Sequence, residues 1–179
     1  MLLNDKRIKE LAKLGMIQHW AEKTKEVDGQ RVISYGLNSF GYDIRLSDKF
    51  KVYPCVYILD PKKHTENDFI NYTGNIYTLL PNSFILGLSI EEFNIPNNIV
   101  GICLGKSTYA RCGLIVNVTP LEPGWKGRLV IEIANLGRIP VQIYANEGIA
   151  QVLFFQDEVP EQVYNGFYQN QTDFKVGIQ

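Results

Sequence analysis

Apolar residues recur at helical spacing only near the start of the chain. Ile8, Leu11, Ala12 and Leu14 follow Asn4-Asp5, a plausible cap, which predicts one short helix over residues 5–14. From residue 42 onward the pattern changes to short β-rich runs. These predict strands at 43–46, 51–56, 76–80, 83–90, 99–104, 114–118, 128–135, 141–144 and 150–155. Turn-forming pieces separate them, among them Pro81-Asn82, Pro96-Asn97-Asn98, Pro123-Gly124 and Asn146-Glu147-Gly148. Many short strands at this spacing specify a mainly β barrel or sandwich. The polar stretch 62–75 reads as a surface loop or short excursion. Residues 35–45, aromatic and Gly-rich, read as a strand entering the barrel with Asp43 and Arg45 paired, or as part of a subunit interface. No internal repeat or long linker is visible, so residues 1–179 are expected to form a single domain. The last dozen residues are polar and aromatic with little to pack, which predicts mobility without a ligand.

Composition narrows the class. At 179 residues the chain can bury a real core. A formal net charge of -1 argues against broad nucleic-acid binding, which needs a basic stripe, but leaves room for a single nucleotide. No apolar stretch reaches the roughly 18 residues of a membrane span. The N-terminal segment is charged from residue 5 and lacks a signal-peptide core. Cys55, Cys103 and Cys112 are an odd count without close spacing, and the last two sit among apolar residues as small hydrophobes. Together these features point to a soluble protein of the reducing cytoplasm, with no membrane and no nucleic-acid partner.

The chemistry concentrates between Gly105 and Glu132. Lys106, Ser107, Thr108 and Arg111 place two hydroxyls and two cations within six residues, a pattern suited to an anion. The same pattern also fits a solvated turn with surface cations. Glu132 stands alone in the apolar run Leu129-Val130-Ile131-Glu132-Ile133, where a carboxylate is costly to bury unless paired or used. A strand carboxylate paired to a neighbouring Arg explains it as well as a catalytic group does. An anion cradle followed by such a carboxylate suggests an enzyme acting on a nucleotide.

Five motifs carry a resemblance: Ser34 to Leu46, Gly105 to Arg111, Val118 to Gly127, Glu132, and Gly148 to Phe155, with Tyr168 to Thr172 fitting as well. In this order, over nearly the whole chain, they resemble the dCTP deaminase family within the trimeric dUTPase superfamily. The resemblance implies a jelly-roll-type, dUTPase-like β-barrel and a homotrimer. It implies hydrolytic deamination of dCTP to dUTP and ammonia, a step towards dTTP, with dTTP as an inhibitor. Glu132 aligns with the family's catalytic glutamate. Ser107 matches a water-positioning residue, and Arg111 a residue that binds phosphate and anchors the glutamate. Lys106 and Thr108 join them around the triphosphate. Thr119, Pro120, Leu121 and Glu122 would form the base and sugar pocket. Tyr164 and Gln171 line up with ligand contacts in a tail, about 160–179, that closes over the nucleotide. Magnesium would travel with the triphosphate. Only His19 and His64 are present and there is no C-x-x-C, so the zinc signature of many nucleoside deaminases is missing and no zinc is expected.

Three positions depart from the family pattern. Lys106 stands where relatives often carry Arg, Glu122 where they often carry Asp, and Phe167 near a phosphate-binding Lys. Because Glu122 is still a carboxylate, a bifunctional dCTP deaminase/dUTP diphosphatase is an alternative, as is a dUTPase. Against a dUTPase stands the tail, which lacks a Gly-rich, Arg-containing run. A non-catalytic nucleotide sensor is the remaining reading; retention of both Glu132 and Ser107 counts against it.

Overall fold

A computed structural model describes residues 1–54 and 58–177 of the protein. The helix α1 runs Asp5–Lys13. The Asn4 side chain accepts from the Arg7 N–H at 3.1 Å, Asp5 occupies the first turn and Lys13 the last, all favourable to the helix dipole. Ile8 and Ala12 are buried, but Leu14 is the cap residue and turns to solvent. Helical periodicity therefore overran the helix by one residue.

Twelve strands follow among the described residues. They are β1 (Ile17–Gln18), β2 (Thr24–Val27), β3 (Gln30–Leu37), β4 (Tyr42–Val52), β5 (Ile70–Thr73), β6 (Ile76–Leu79), β7 (Phe84–Asn94), β8 (Ile99–Gly105), β9 (Leu114–Asn117), β10 (Lys126–Asn135), β11 (Val141–Tyr144) and β12 (Gly148–Gln156). A short helix α2 (Ser107–Ala110) separates β8 from β9. The mainly β architecture with one short N-terminal helix agrees with expectation. One contiguous apolar core spans the chain from Leu3 to Phe154.

The expected barrel is not closed. Ten strands form one sheet along the path β2-β3-β4-β7-β10-β9, with β12 joining β4 to β8; β6 and β11 pair separately. The long strand β4 explains the branching. Its first half pairs with β12 and its second half with β7, with a register shift between Leu46 and Phe50. The two arms face each other across the core, where the Phe93 and Phe154 rings lie 6.5 Å apart.

Several expected strands were cut or missed. β1, β2 and most of β3 lie in a region given no strand by the pattern; only residues 35–37 of β3 fall in the stretch 35–45 read as a strand entering the barrel. Segments 43–46 and 51–56 belong, as far as residue 52, to the one strand β4; residues 55 and 56 fall outside the described residues. The polar gap Ser47-Asp48-Lys49 misled the reading, although Ser47 is buried. The stretch 62–75 holds a 3-10 turn (Glu66–Asp68) and β5, an exposed strand that buries none of its four residues and so shows no core-facing alternation. Asp43 and Arg45 do not pair with each other. Asp43 holds Lys106, and Arg45 holds the buried Glu91.

Candidate active site

Strand β10 sets the position of Glu132. Gly127, Leu129, Ile131, Ile133 and Asn135 alternate into the core. Val130 and Glu132 occupy the opposite face and look into a cavity of about 480 Å³. Glu132 is therefore half-buried, and it is not one of the core residues of its strand. Its Oε2 accepts from Asn117 Nδ2. Asn117 and Glu132 are cross-strand partners, so the expected Arg partner is replaced by a neutral amide on the neighbouring strand.

The hairpin between β9 and β10 builds one wall. Thr119, Pro120, Leu121 and Glu122 all line the cavity. Leu121 exchanges backbone bonds with Gly101 at 2.8 and 2.9 Å, which fastens the hairpin to β8. Gly124, at φ +80°, makes the turn that Pro123-Gly124 announces, and its N–H reaches Ile95 O at 3.1 Å. Trp125 is buried and donates Nε1 to Tyr168 O at 3.0 Å, a packing and tethering role.

The C-terminal tail covers the hairpin. Tyr164 and Gln171 both line the cavity with Glu132. Gln171 is only 4% exposed. Its Nε2 donates to Arg128 O at 2.7 Å, which fixes the amide so that Oε1 is the free end. Among the described residues Oε1 has no hydrogen-bond partner. The tail expected to have little to pack is held by polar side chains: Gln169 bonds Lys126 N at 2.8 Å and Gly124 O at 2.9 Å.

Sequence reasoning missed three further wall residues. Tyr53 and His64 stack with ring centroids 5.9 Å apart, and Tyr53 meets Phe84 at 5.7 Å. Burial pushes the Tyr53 hydroxyl above its ordinary range, with the Asp68 and Glu132 carboxylates adding to the effect. Lys175 also lines the cavity, and its Nζ donates to Gln169 O at 2.8 Å. It brings to the tail a cation that Phe167 does not supply. No motif or spacing marks these three; only the folded tail and the loop before β5 bring them in.

The Lys106–Arg111 segment lies elsewhere. Ser107, Thr108 and Arg111 are exposed and do not line this cavity. Lys106 Nζ is bonded to Asp43 Oδ2 at 2.5 Å. The segment forms the helical turn α2, pinned from beneath by buried Tyr109, whose hydroxyl accepts from Tyr144 N at 3.0 Å. A single chain thus carries the carboxylate cavity and the hydroxyl-and-cation turn as two separate places. Among the described residues no three His, Cys, Asp or Glu side chains cluster to hold a metal, and no helix is long and apolar enough to cross a membrane.

Comparisons with known proteins identify the family. A sequence model of the family described as dCTP deaminase-like matches residues 2–157. A dCTP deaminase of Chlamydia felis is 52% identical over 182 residues, covering 96% of each chain. One from Marinobacter nauticus is 49% identical over 177 residues, covering 94% of each. Among solved structures, the 2'-deoxycytidine 5'-triphosphate deaminase of Agrobacterium tumefaciens superposes with a TM-score of 0.66 at 17% identity. That match covers 86% of this chain and 47% of the other, so this chain spans about half of that one; the likeness bears on the fold alone.

Proposed function

The chain belongs to the dCTP deaminase-like family, and from that premise we propose that it hydrolyses dCTP to dUTP and ammonia. One observation carries the reading. Glu132, the hairpin 119–122 and Gln171, whose Oε1 has no hydrogen-bond partner among the described residues, share one cavity of nucleotide size. Deamination needs a base that takes a proton from water and an acid that protonates the departing amine, and one carboxylate can do both in turn. Glu132 takes a proton from water, the resulting hydroxide adds to the ring carbon that carries the amine, and the proton passes on to nitrogen. That first proton goes to the adjacent ring nitrogen; Glu132 then takes the proton of the new hydroxyl and delivers it to the exocyclic amine, so that the C–N bond breaks, ammonia leaves and a carbonyl remains. Pro120 offers a carbonyl and no N–H, which suits an amino group. The Gln171 Oε1 is likewise an acceptor only.

The triphosphate is assigned to Lys106, Ser107, Thr108 and Arg111, and magnesium would arrive as part of the Mg·dCTP substrate and offset its charge. These residues lie outside the Glu132 cavity of their own chain, so the reading calls for a second copy to bring them there. The outer face beside them supports this. Ile102, Leu104 and Phe155 are exposed on β8 and β12, forming an apolar surface that continues to Gly105. In this reading the working form is a homotrimer of the cytoplasm. Ser107 and Arg111 of one copy then reach the Glu132 of the next, to place the water and steady the carboxylate. The same site admits dTTP, which shares the sugar and triphosphate, as an inhibitor.

A second reading has its own observation: Glu122 faces the same cavity as Glu132. A second carboxylate could activate water towards the α-phosphate, giving a bifunctional enzyme. Incubation of purified protein with Mg·dCTP, followed by chromatography, separates the two. Accumulating dUTP, abolished in Glu132→Gln with nucleotide binding retained, is the expected result. Accumulating dUMP with diphosphate would establish the second reading, and undiminished turnover by Glu132→Gln would refute the catalytic assignment.

A further inference from the structure

Asn117 and Glu132 occupy the last rung of the β9–β10 ladder before the strands part around the hairpin. Residues in such register share a face. The Asn117 Nδ2 donates to Glu132 Oε2, and among the described residues no Lys, Arg or His stands within ion-pair distance of Glu132. Asn117 is exposed, so water alone could satisfy its amide and burial does not enforce the bond. The consequence of the bond is orientation: one carboxylate oxygen is held and the other is left for water. A neutral N–H donor does this without cancelling the negative charge that a base needs.

We propose that Asn117 is a positioning residue for the deamination, fixing the rotamer of Glu132 from the neighbouring strand; this rests on the reading of Glu132 as the proton-transfer group. The position suits the task. Asn117 is the residue at which the ladder ends, so Glu132 is held on one side by a paired strand and opens on the other to the hairpin cavity. Other titratable groups facing that cavity are Tyr53, His64, Glu122, Tyr164, Tyr168 and Lys175. Asn117 differs from all of them in making a direct hydrogen bond to the carboxylate.

Two variants test the proposal, with dUTP affinity and pH profile as readouts beside turnover. Asn117→Ala removes the donor and is expected to lower kcat about tenfold while dUTP affinity stays within about twofold. Asn117→Asp keeps the shape but sets a like charge against Glu132. It is expected to lower kcat further and to move the acid limb of the kcat profile upward by about one pH unit, because a carboxylate facing a like charge holds its proton more tightly. An unmoved acid limb in Asn117→Asp, or equal losses of kcat and dUTP affinity in Asn117→Ala, would overturn the positioning role. Glu132→Gln serves as the control. If it turns over dCTP the premise itself fails; if it is inactive while both Asn117 variants match the parent, the failure belongs to Asn117 alone.

Discussion

Lys106 Nζ and Asp43 Oδ2 lie 2.5 Å apart, tying the turn after β8 to strand β4 with side chains only 13% and 5% exposed. The residue expected on the phosphates is thus committed first to a carboxylate of its own chain. A largely dry ion pair costs most when one partner is removed, since the other charge stays buried and alone. Asp43→Asn is therefore expected to destabilise the protein by about 3 kcal/mol in urea unfolding. It should also raise the dCTP KM, because the loosened Lys106 precedes Ser107 directly. Lys106→Met combined with Asp43→Asn should cost less than the sum of the single changes. An Asp43→Asn protein as stable as the parent would show that the pair contributes nothing.

If each active site joins Glu132 of one copy to Ser107 of another, two inactive variants can repair each other. Glu132→Gln and Ser107→Ala should each abolish turnover alone. Coexpressed and randomly mixed, they should recover roughly a quarter of parental activity, because about one site in four combines the two intact residues. Chains that complete their own sites would recover nothing on mixing.

How much of this was legible depended on where charge sits. The helix could be read because Asn4 caps it and Ile8 and Ala12 face one way. β10 and β12 could be read because their apolar content is dense, and the hairpin because Pro123-Gly124 can hardly be anything but a turn. Charged residues taken for surface cut other strands short. β4 continues through Ser47, Asp48 and Lys49, of which Ser47 is buried, and β7 continues past Ile90 through the fully buried Glu91. Glu132 was singled out for burial in an apolar run, yet it lies on the outer face of that run beside Val130. The burial argument that singled it out was therefore not the right one. Tyr53, His64 and Lys175 reach the cavity only through long-range folding, which no local pattern encodes.

The docking of the tail depends on one glycine. Gly127 adopts φ +151°, and a Cβ there would lie 2.6 Å from Gln171 O and 2.9 Å from Gln171 N. Both clashes are with backbone, so the tail has to move as a unit. Gly127→Ala should raise the dCTP KM by about tenfold, equivalent to about 1.4 kcal/mol of lost binding. The apolar core beneath the strand is untouched, so thermal unfolding should change far less than binding. Unchanged KM in this variant would separate the tail from nucleotide binding altogether.

Two cysteines should report their surroundings by rate. Burial pushes the Cys103 thiol up to about 12, whereas Cys112 is exposed. The thiolate is the reactive form, and at pH 8 a thiol with that proton affinity is ionised about one part in ten thousand. Iodoacetamide followed by peptide mass mapping should find Cys112 modified at least about tenfold faster than Cys103 in the folded protein. Urea should erase the difference. Equal rates without urea would mean that β8 opens readily in solution.

The largest stability loss from a single charge is expected at Glu91. Its side chain is fully buried, and it accepts from Arg45 Nε at 2.8 Å, Arg45 N at 2.9 Å and Tyr42 Oη at 3.1 Å. Arg45 in turn donates to His19 O and lies over the Tyr35 ring at 5.0 Å, while Tyr42 Oη accepts from Ala21 N at 2.9 Å. One carboxylate therefore ties β4 and β7 to the segment from β1 to β3. Removing it leaves the half-buried Arg45 guanidinium without its counter-charge, and Glu91→Ala should cost about 3–5 kcal/mol in urea unfolding. Replacing both partners, as in Glu91→Leu with Arg45→Met, removes the stranded charge and should recover part of that loss. The damage should concentrate in residues 17–37, whose amides should exchange with deuterium faster in Glu91→Ala than in the parent. A cost below about 1 kcal/mol would mean that water already reaches Arg45 and that the pair is a surface contact in energetic terms.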